Sequence, residues 1–239
     1  MVRKVFLAAM LFSASLTAFA QDTTKRNDRP PDSGAPAQRV EDSKKPTDGT
    51  RYSYEFAQKD FVYNHIVISH DAAGRGTITF ERKGEETPIV EPVELSASAL
   101  NRIFGFWSEL RFLDSNENYQ SAKSFAHLGT YKLGMDDGKR RRTAEFNWSD
   151  NKAAWTLANE YRRVADQAIL IFNIKLAREM QPLNAPSLLN EMDSLLRRDG
   201  LSDPHQLIPL LNELRTDEHI PLIARNQAER ILKKIEKTP

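Results

Sequence analysis

No cysteine occurs among the 239 residues. That excludes disulfides, thiolate metal sites, cysteine nucleophiles and thioether-linked lipid anchors. Excess charge of one sign is also missing: 34 Lys+Arg stand against 33 Asp+Glu, so no global field draws the chain to nucleic acid or to an anionic membrane. After the first twenty residues no apolar run approaches the ~20 residues that span a bilayer. G-x-S-x-G, S-x-x-K, P-loop and H-E-x-x-H patterns are absent, and nothing in the sequence asks for a cofactor or a metal. What is present, 40% hydrophobic and 9% aromatic residues, suffices for a packed core.

The N-terminus reads as an address. Arg3 and Lys4 precede an uncharged apolar stretch from Val5 to Leu16, and Ala18-Phe19-Ala20 places small residues at the −3 and −1 positions. This is the pattern of a secretory signal peptide over residues 1–20, cut between Ala20 and Gln21. The expected location is extracytoplasmic, periplasmic or secreted. Residues 21–50 follow as a charged linker, with Pro30, Pro31, Pro36 and Pro46, no aromatic residue and Val40 as the one large aliphatic. Such a stretch buries too little apolar surface to offset ordering, which costs about 1–2 kcal/mol per residue, so disorder is expected.

From Tyr52 the composition changes. Tyr54 to Ser69 is rich in β-branched and aromatic residues, His70 to Gly76 reads as a turn, and Thr77 to Glu81 completes a hairpin. Ile89 to Leu95 is a third strand, with Pro92 marking an edge. Ser96 caps a helix whose Leu100, Ile103, Phe104, Trp107 and Leu110 recur at helical spacing. Thr130–Met135 and Arg140–Trp148 form a second hairpin about Asp136-Asp137-Gly138-Lys139. Ser149 or Asp150 caps a long helix with a seam of Ala154, Leu157, Tyr161, Val164, Ala168 and Ile171. The spacing predicts an α+β domain over 51–181. Its antiparallel sheet of about five strands (β-β-β-α-β-β-α) carries helices on one face, with Trp107 and Trp155 in the core.

Pro182 and Pro186 mark a boundary. A helix around Leu188–Leu196 should stop at Gly200. Asp203-Pro204 starts another, in which Pro209 kinks the chain unless it lies in the first turn. A last helix follows Pro221. Residues 182–239 are thus expected to be a helical appendage of three helices.

Two resemblances rest on these residues. The paired strands around Gly74, the Leu95-Ser96 helix start, Trp107 with Phe112-Leu113, Tyr119, Thr130 and Gly138 make residues 61–166 similar to a bacterial exported domain of unknown function. The resemblance implies an α+β fold and no particular activity, and the cysteine pair common in that family is missing. Leu207 to Leu214 with Asp217, Arg225, Ala228 and Leu232 resembles one HEAT-like helical hairpin over residues 203–236.

Candidate chemistry is sparse. Asp114-Ser115-Asn116-Glu117-Asn118 starts like a calcium loop, but Tyr119 stands where glycine is needed and Phe125 where a bidentate glutamate is needed. His65 and His70 sit five apart on one strand and so face opposite ways. Lys139-Arg140-Arg141-Arg142 is the one dense cationic run. It is expected at a hairpin tip as a solvated turn, or as a contact for an anionic envelope component. The functional expectation is a non-catalytic binding or scaffolding module of the cell envelope, its partner a protein or such a component and not nucleic acid. The alternative is a hydrolase whose active site leaves no local motif.

Overall fold

The structure, a computed structural model, describes residues 49–237. The signal segment, its cut between Ala20 and Gln21, and the linker through residue 48 lie outside the described residues. Six strands are present: β1 (Arg51–Ala57), β2 (Tyr63–Asp71), β3 (Arg75–Arg82), β4 (Ile89–Glu94), β5 (Thr130–Asp136) and β6 (Arg141–Phe146). They form one antiparallel sheet in the order β4-β3-β2-β1-β5-β6. The helices are α1 (Ala97–Glu109), α2 (Lys152–Met180), α3 (Ala185–Arg197), α4 (Ile208–Thr216) and α5 (Leu222–Glu236). The α+β class with helices on one face of the sheet is as expected.

The extra strand comes from Tyr54–Ser69, which is a hairpin and not one strand. Gln58 N donates to Asn64 O at 2.7 Å and closes the connection. Alternation hid this turn. Tyr54 and Phe56 before it, and Ile66, Ile68 and His70 after it, all carry even numbers and all face the core, so the period of two runs through unbroken. Gln58-Lys59-Asp60 also contains no Gly or Pro to signal a bend.

The next turn ends earlier than expected. Gly74 takes the left-handed φ of +78°, while Gly76 belongs to β3 opposite His70. A Cβ on Gly76 would lie 1.8 Å from Ser69 O, so close backbone approach fixes glycine there. β4 is an edge strand, which accommodates Pro92.

Helices α1 and α2 cover the inward face. Ser96 Oγ accepts from Ala99 N at 3.2 Å and caps α1. Asn151, rather than Ser149 or Asp150, caps α2, its Oδ1 accepting from Ala154 N at 3.0 Å; Ser149 Oγ instead accepts from Asn151 N. Trp107 is buried at 3% exposure and donates its indole N–H to the Tyr161 hydroxyl at 3.0 Å. Trp155 is only half-buried, packed edge-on against Tyr131 and tilted against Trp148. It borders the core, where the sequence placed it inside.

At 29 residues, α2 is about 43 Å long, and its two halves serve different layers. Tyr161, Val164 and Ala165 pack with the sheet. Leu170 and Ile174 join Leu189, Leu211, Ala228 and Ile235 in a second cluster made by α3, α4 and α5. The appendage therefore shares α2 with the sheet layer, and the described residues belong to one compact unit. Arg102 and Arg163 tie the layers together. Both pair with buried Glu160, and they donate to Ser202 O (2.7 Å) and Leu201 O (2.9 Å).

α3 stops on Asp199, not on Gly200. Asp199 takes φ +55°, and Gly200 N reaches back to Leu195 O at 2.8 Å in a Schellman-type end. Pro209 falls in the first turn of α4, where its missing N–H costs nothing.

Candidate functional site

The cationic run has a different fate from residue to residue, because β6 begins at Arg141. Successive strand residues face opposite ways. Lys139 and Arg140 sit in the turn, where Arg140 pairs with Asp137 and with Asp114 at 2.6 Å. Arg141 points to the outer face and pairs with Asp136. Arg142 points inward: it donates to Phe112 O (2.6 Å), Glu117 O (2.7 Å) and the Tyr119 hydroxyl (3.1 Å). Its guanidinium also lies 4.4 Å from the Phe112 ring centroid. Three of the four cations thus have partners within the chain, so the run is not a simple solvated turn. Two of those partners, Asp114 and Glu117, come from the calcium-like loop, which is held by arginine.

The outer sheet face is polar. One row across all six strands reads Glu94, Arg75, Asp71, Arg51, Asp136, Arg141, alternating in sign so that each neighbour is an opposite charge. Nearby, His65 lies between Glu81 (2.9 Å) and Glu55 (3.2 Å). Partial burial lowers its pKa, but the two carboxylates outweigh that and the net shift is upward.

A concave site lies elsewhere, where the end of the sheet meets α2 and α3. A cavity of about 480 Å³ is walled by Phe56, Phe61, Ile169 and Leu195. Each element contributes for a local reason. β1 presents Tyr54 and Phe56 by alternation. The β1–β2 connection hangs Phe61 and Val62 over the rim, 38% and 68% exposed. α2 supplies Arg162, Asp166 and Asn173, while α3 and its C-terminal cap bring Glu191, Leu195 and Arg198.

Two polar groups facing this cavity make no hydrogen bond to another described residue, and both open onto the cavity space. Tyr54 is 1% exposed, its ring stacked on Tyr161 at 5.3 Å. Neither its hydroxyl nor the Asp166 carboxyl has a hydrogen bond or ion pair among the described residues. Burial raises the Tyr54 pKa well above the usual phenol value. It raises that of Asp166 too, with Arg162 and Arg198 opposing and Glu191 adding to the rise. At the far end the Tyr63 hydroxyl accepts from Asn173 Nδ2 at 2.7 Å. Beyond that bridge a second depression of about 500 Å³ continues past Leu176 and Met180.

The sequence did not single out Tyr54 or Asp166. Tyr54 reads as an ordinary inward strand residue. Asp166 carries a faint signal, a carboxyl placed just before the nearly all-apolar Ile169–Ile174. Among the described residues no group of three or more His, Cys, Asp or Glu could hold a metal ion. No protein-family model matches the chain, and a search of curated proteins finds no match either.

Proposed function

We propose that the chain is an exported binding module of the cell envelope, working through the cavity between β1, α2 and α3, and that it takes up a small amphiphilic molecule there. The carrying observation is that Tyr54, 1% exposed as a residue, lines an apolar-walled cavity with a hydroxyl that no other described residue hydrogen-bonds. The volume falls within the range of small-molecule sites, and the mix of apolar wall and few polar groups is typical of them. Residues 1–20 supply the reason for placing the protein outside the cytoplasm. The lining contains no Ser, Thr, Cys or His, hence no nucleophile–imidazole pair; its carboxyls, Asp60, Asp166 and Glu191, are what the hydrolase alternative would use. Among the described residues no helix is long and apolar enough to cross a membrane.

The test uses N-phenyl-1-naphthylamine, a neutral apolar fluorophore with one N–H. Saturable one-site binding is expected. Tyr54→Phe should weaken it about three- to tenfold, the worth of one neutral hydrogen bond. Hydrolysis of a p-nitrophenyl acyl ester that disappears in Asp166→Asn would transfer the site to the hydrolase reading.

A further inference from the structure

We propose that the molecule taken up by this cavity is an anionic amphiphile, its charged head held by Arg162, Arg198 and the Tyr54 hydroxyl and its chain laid against Phe56, Ile169 and Leu195. This rests on the binding reading above and adds the sign of the head group.

The arginines around this cavity differ in whether they are already in use. On α2, Arg163 and Arg178 are pinned to Glu160, Asp199, Glu213 and Asp217. Arg162, one residue from Arg163, has no hydrogen bond or ion pair among the described residues, and Arg198 at the end of α3 has none either, yet both line the cavity. A guanidinium is a donor only, and two of them beside an apolar wall suit a carboxylate, sulfonate or phosphate. The Tyr54 hydroxyl, which donates to no other described residue, adds a third donor.

The acidic groups facing the same space are Asp166, Glu191 and Asp60. Asp60 lies 3.8 Å from Lys83. Glu191 is exposed on α3, as Arg162 and Arg198 are on their helices, so solvent screens all three alike and the two cations outnumber it. Burial raises the Asp166 pKa against the opposing pull of Arg162 and Arg198, which weakens it as a competing anion. A cationic head fares worse. It would have to settle beside Arg162, the fixed charge that bears most strongly on both Tyr54 and Asp166. The exposed Phe61 and Val62 at the rim give the chain an apolar cover.

One consequence separates this site from a merely sticky groove. An anion placed near Asp166 further disfavours its carboxylate. An anionic head therefore favours the protonated form of Asp166, so affinity should rise as pH falls.

The test is calorimetric titration of the full mature chain with decanoate, decanol and decylamine below their micelle concentrations. 1-Decanesulfonate serves for the pH series because its head stays ionised. Decanoate and decanesulfonate should bind one to one and decylamine should not. Arg162→Gln with Arg198→Gln should weaken decanesulfonate about tenfold or more. The wild type should bind it more tightly as pH is lowered, and Asp166→Asn should flatten that dependence. Both arginines are exposed, so their loss should leave the melting temperature unchanged. If decanol or decylamine binds as tightly as decanoate, or the double Gln variant binds normally, the head-group assignment is wrong while the cavity remains a binding site. If no probe binds, or binding ignores Tyr54→Phe, the binding reading fails with it.

Discussion

Arg142 shows how one side chain can join parts of the chain that are far apart in sequence. Its guanidinium spans the carbonyls of Phe112 and Glu117 and the Tyr119 hydroxyl, and lies over two aromatic rings. Those bonds fix the long connection between α1 and β5 against the sheet edge. Hydrogen bonds to a charged group contribute roughly 1.5–3 kcal/mol each, and cation–π stacking about 0.5–2 kcal/mol. These are not additive, so Arg142→Gln should destabilise by roughly 2–4 kcal/mol. Arg141→Gln, which removes one exposed ion pair, should cost under about 1 kcal/mol. Urea unfolding of both variants checks the contrast, and equal losses would show that Arg142 is just another surface cation. The sequence gives four consecutive cations and no means of ranking them. The ranking appears once β6 is known to begin at Arg141, because strand alternation then turns Arg142 inward.

At the scale of the element, β2 carries two histidines that titrate against each other. His70 is buried, its ring stacked on Tyr52 at 5.3 Å. Trp107 donates to the Tyr161 hydroxyl, which leaves that hydroxyl free to donate to His70 Nε2 at 2.8 Å, and Nδ1–H donates to Asp71 O at 2.8 Å. This chain is complete with a neutral ring. Burial lowers the His70 pKa, so its contribution is full above the unfolded value of about 6.5 and is lost as pH falls through the folded value. His65, with its net upward shift from Glu81 and Glu55, behaves oppositely: its contribution is full below about 6.5 and is lost as pH rises through its folded value. Melting temperatures at about pH 5 and about pH 7.5 should reveal both. His65→Gln should steepen the loss of stability in acid, and His70→Phe should flatten it. An unchanged slope in His70→Phe would mean that His70 does not titrate with unfolding. That the two rings face opposite ways was legible from their spacing, but the partners that set the direction of each shift come from strands and a helix remote in sequence.

At the scale of the molecule, α2 is the common wall of two hydrophobic clusters, and the candidate cavity exists because α3 folds back beside it. Glu160, 5% exposed, holds Arg102 of α1 and Arg163 of α2 together, and both arginines reach the carbonyls of residues 201 and 202. Removing Arg163 leaves a nearly buried carboxylate short of one partner and the Leu201 carbonyl oxygen without its guanidinium donors. Breaking a buried pair from one side costs about 3–5 kcal/mol. The remaining Arg102 reduces that, so Arg163→Ala is expected to cost about 2–4 kcal/mol. It should also raise hydrogen exchange throughout α3, α4 and α5 more than in the sheet. Uniform exchange would mean that the layers unfold as one and that the clamp has no local role.

Local chemistry alone determined most of the elements. The Ser96 cap, the apolar stripe around Trp107, the Gly74 and Gly138 turns, the edge strand with Pro92 and the three appended helices all follow from periods and residue conformations acting within a few positions. It missed the β1–β2 hairpin because both strands keep their inward residues on even numbers, and it misplaced the ends of α2 and α3 because several polar residues in a row can cap a helix. The candidate site could not be read in this way. Tyr54, Arg162, Asp166 and Arg198 carry no motif, and they share one cavity only because a strand, a long helix and a folded-back helix converge. Burial and missing partners, which single out Tyr54 and Asp166, are properties of a side chain's surroundings, and those are set by tertiary packing.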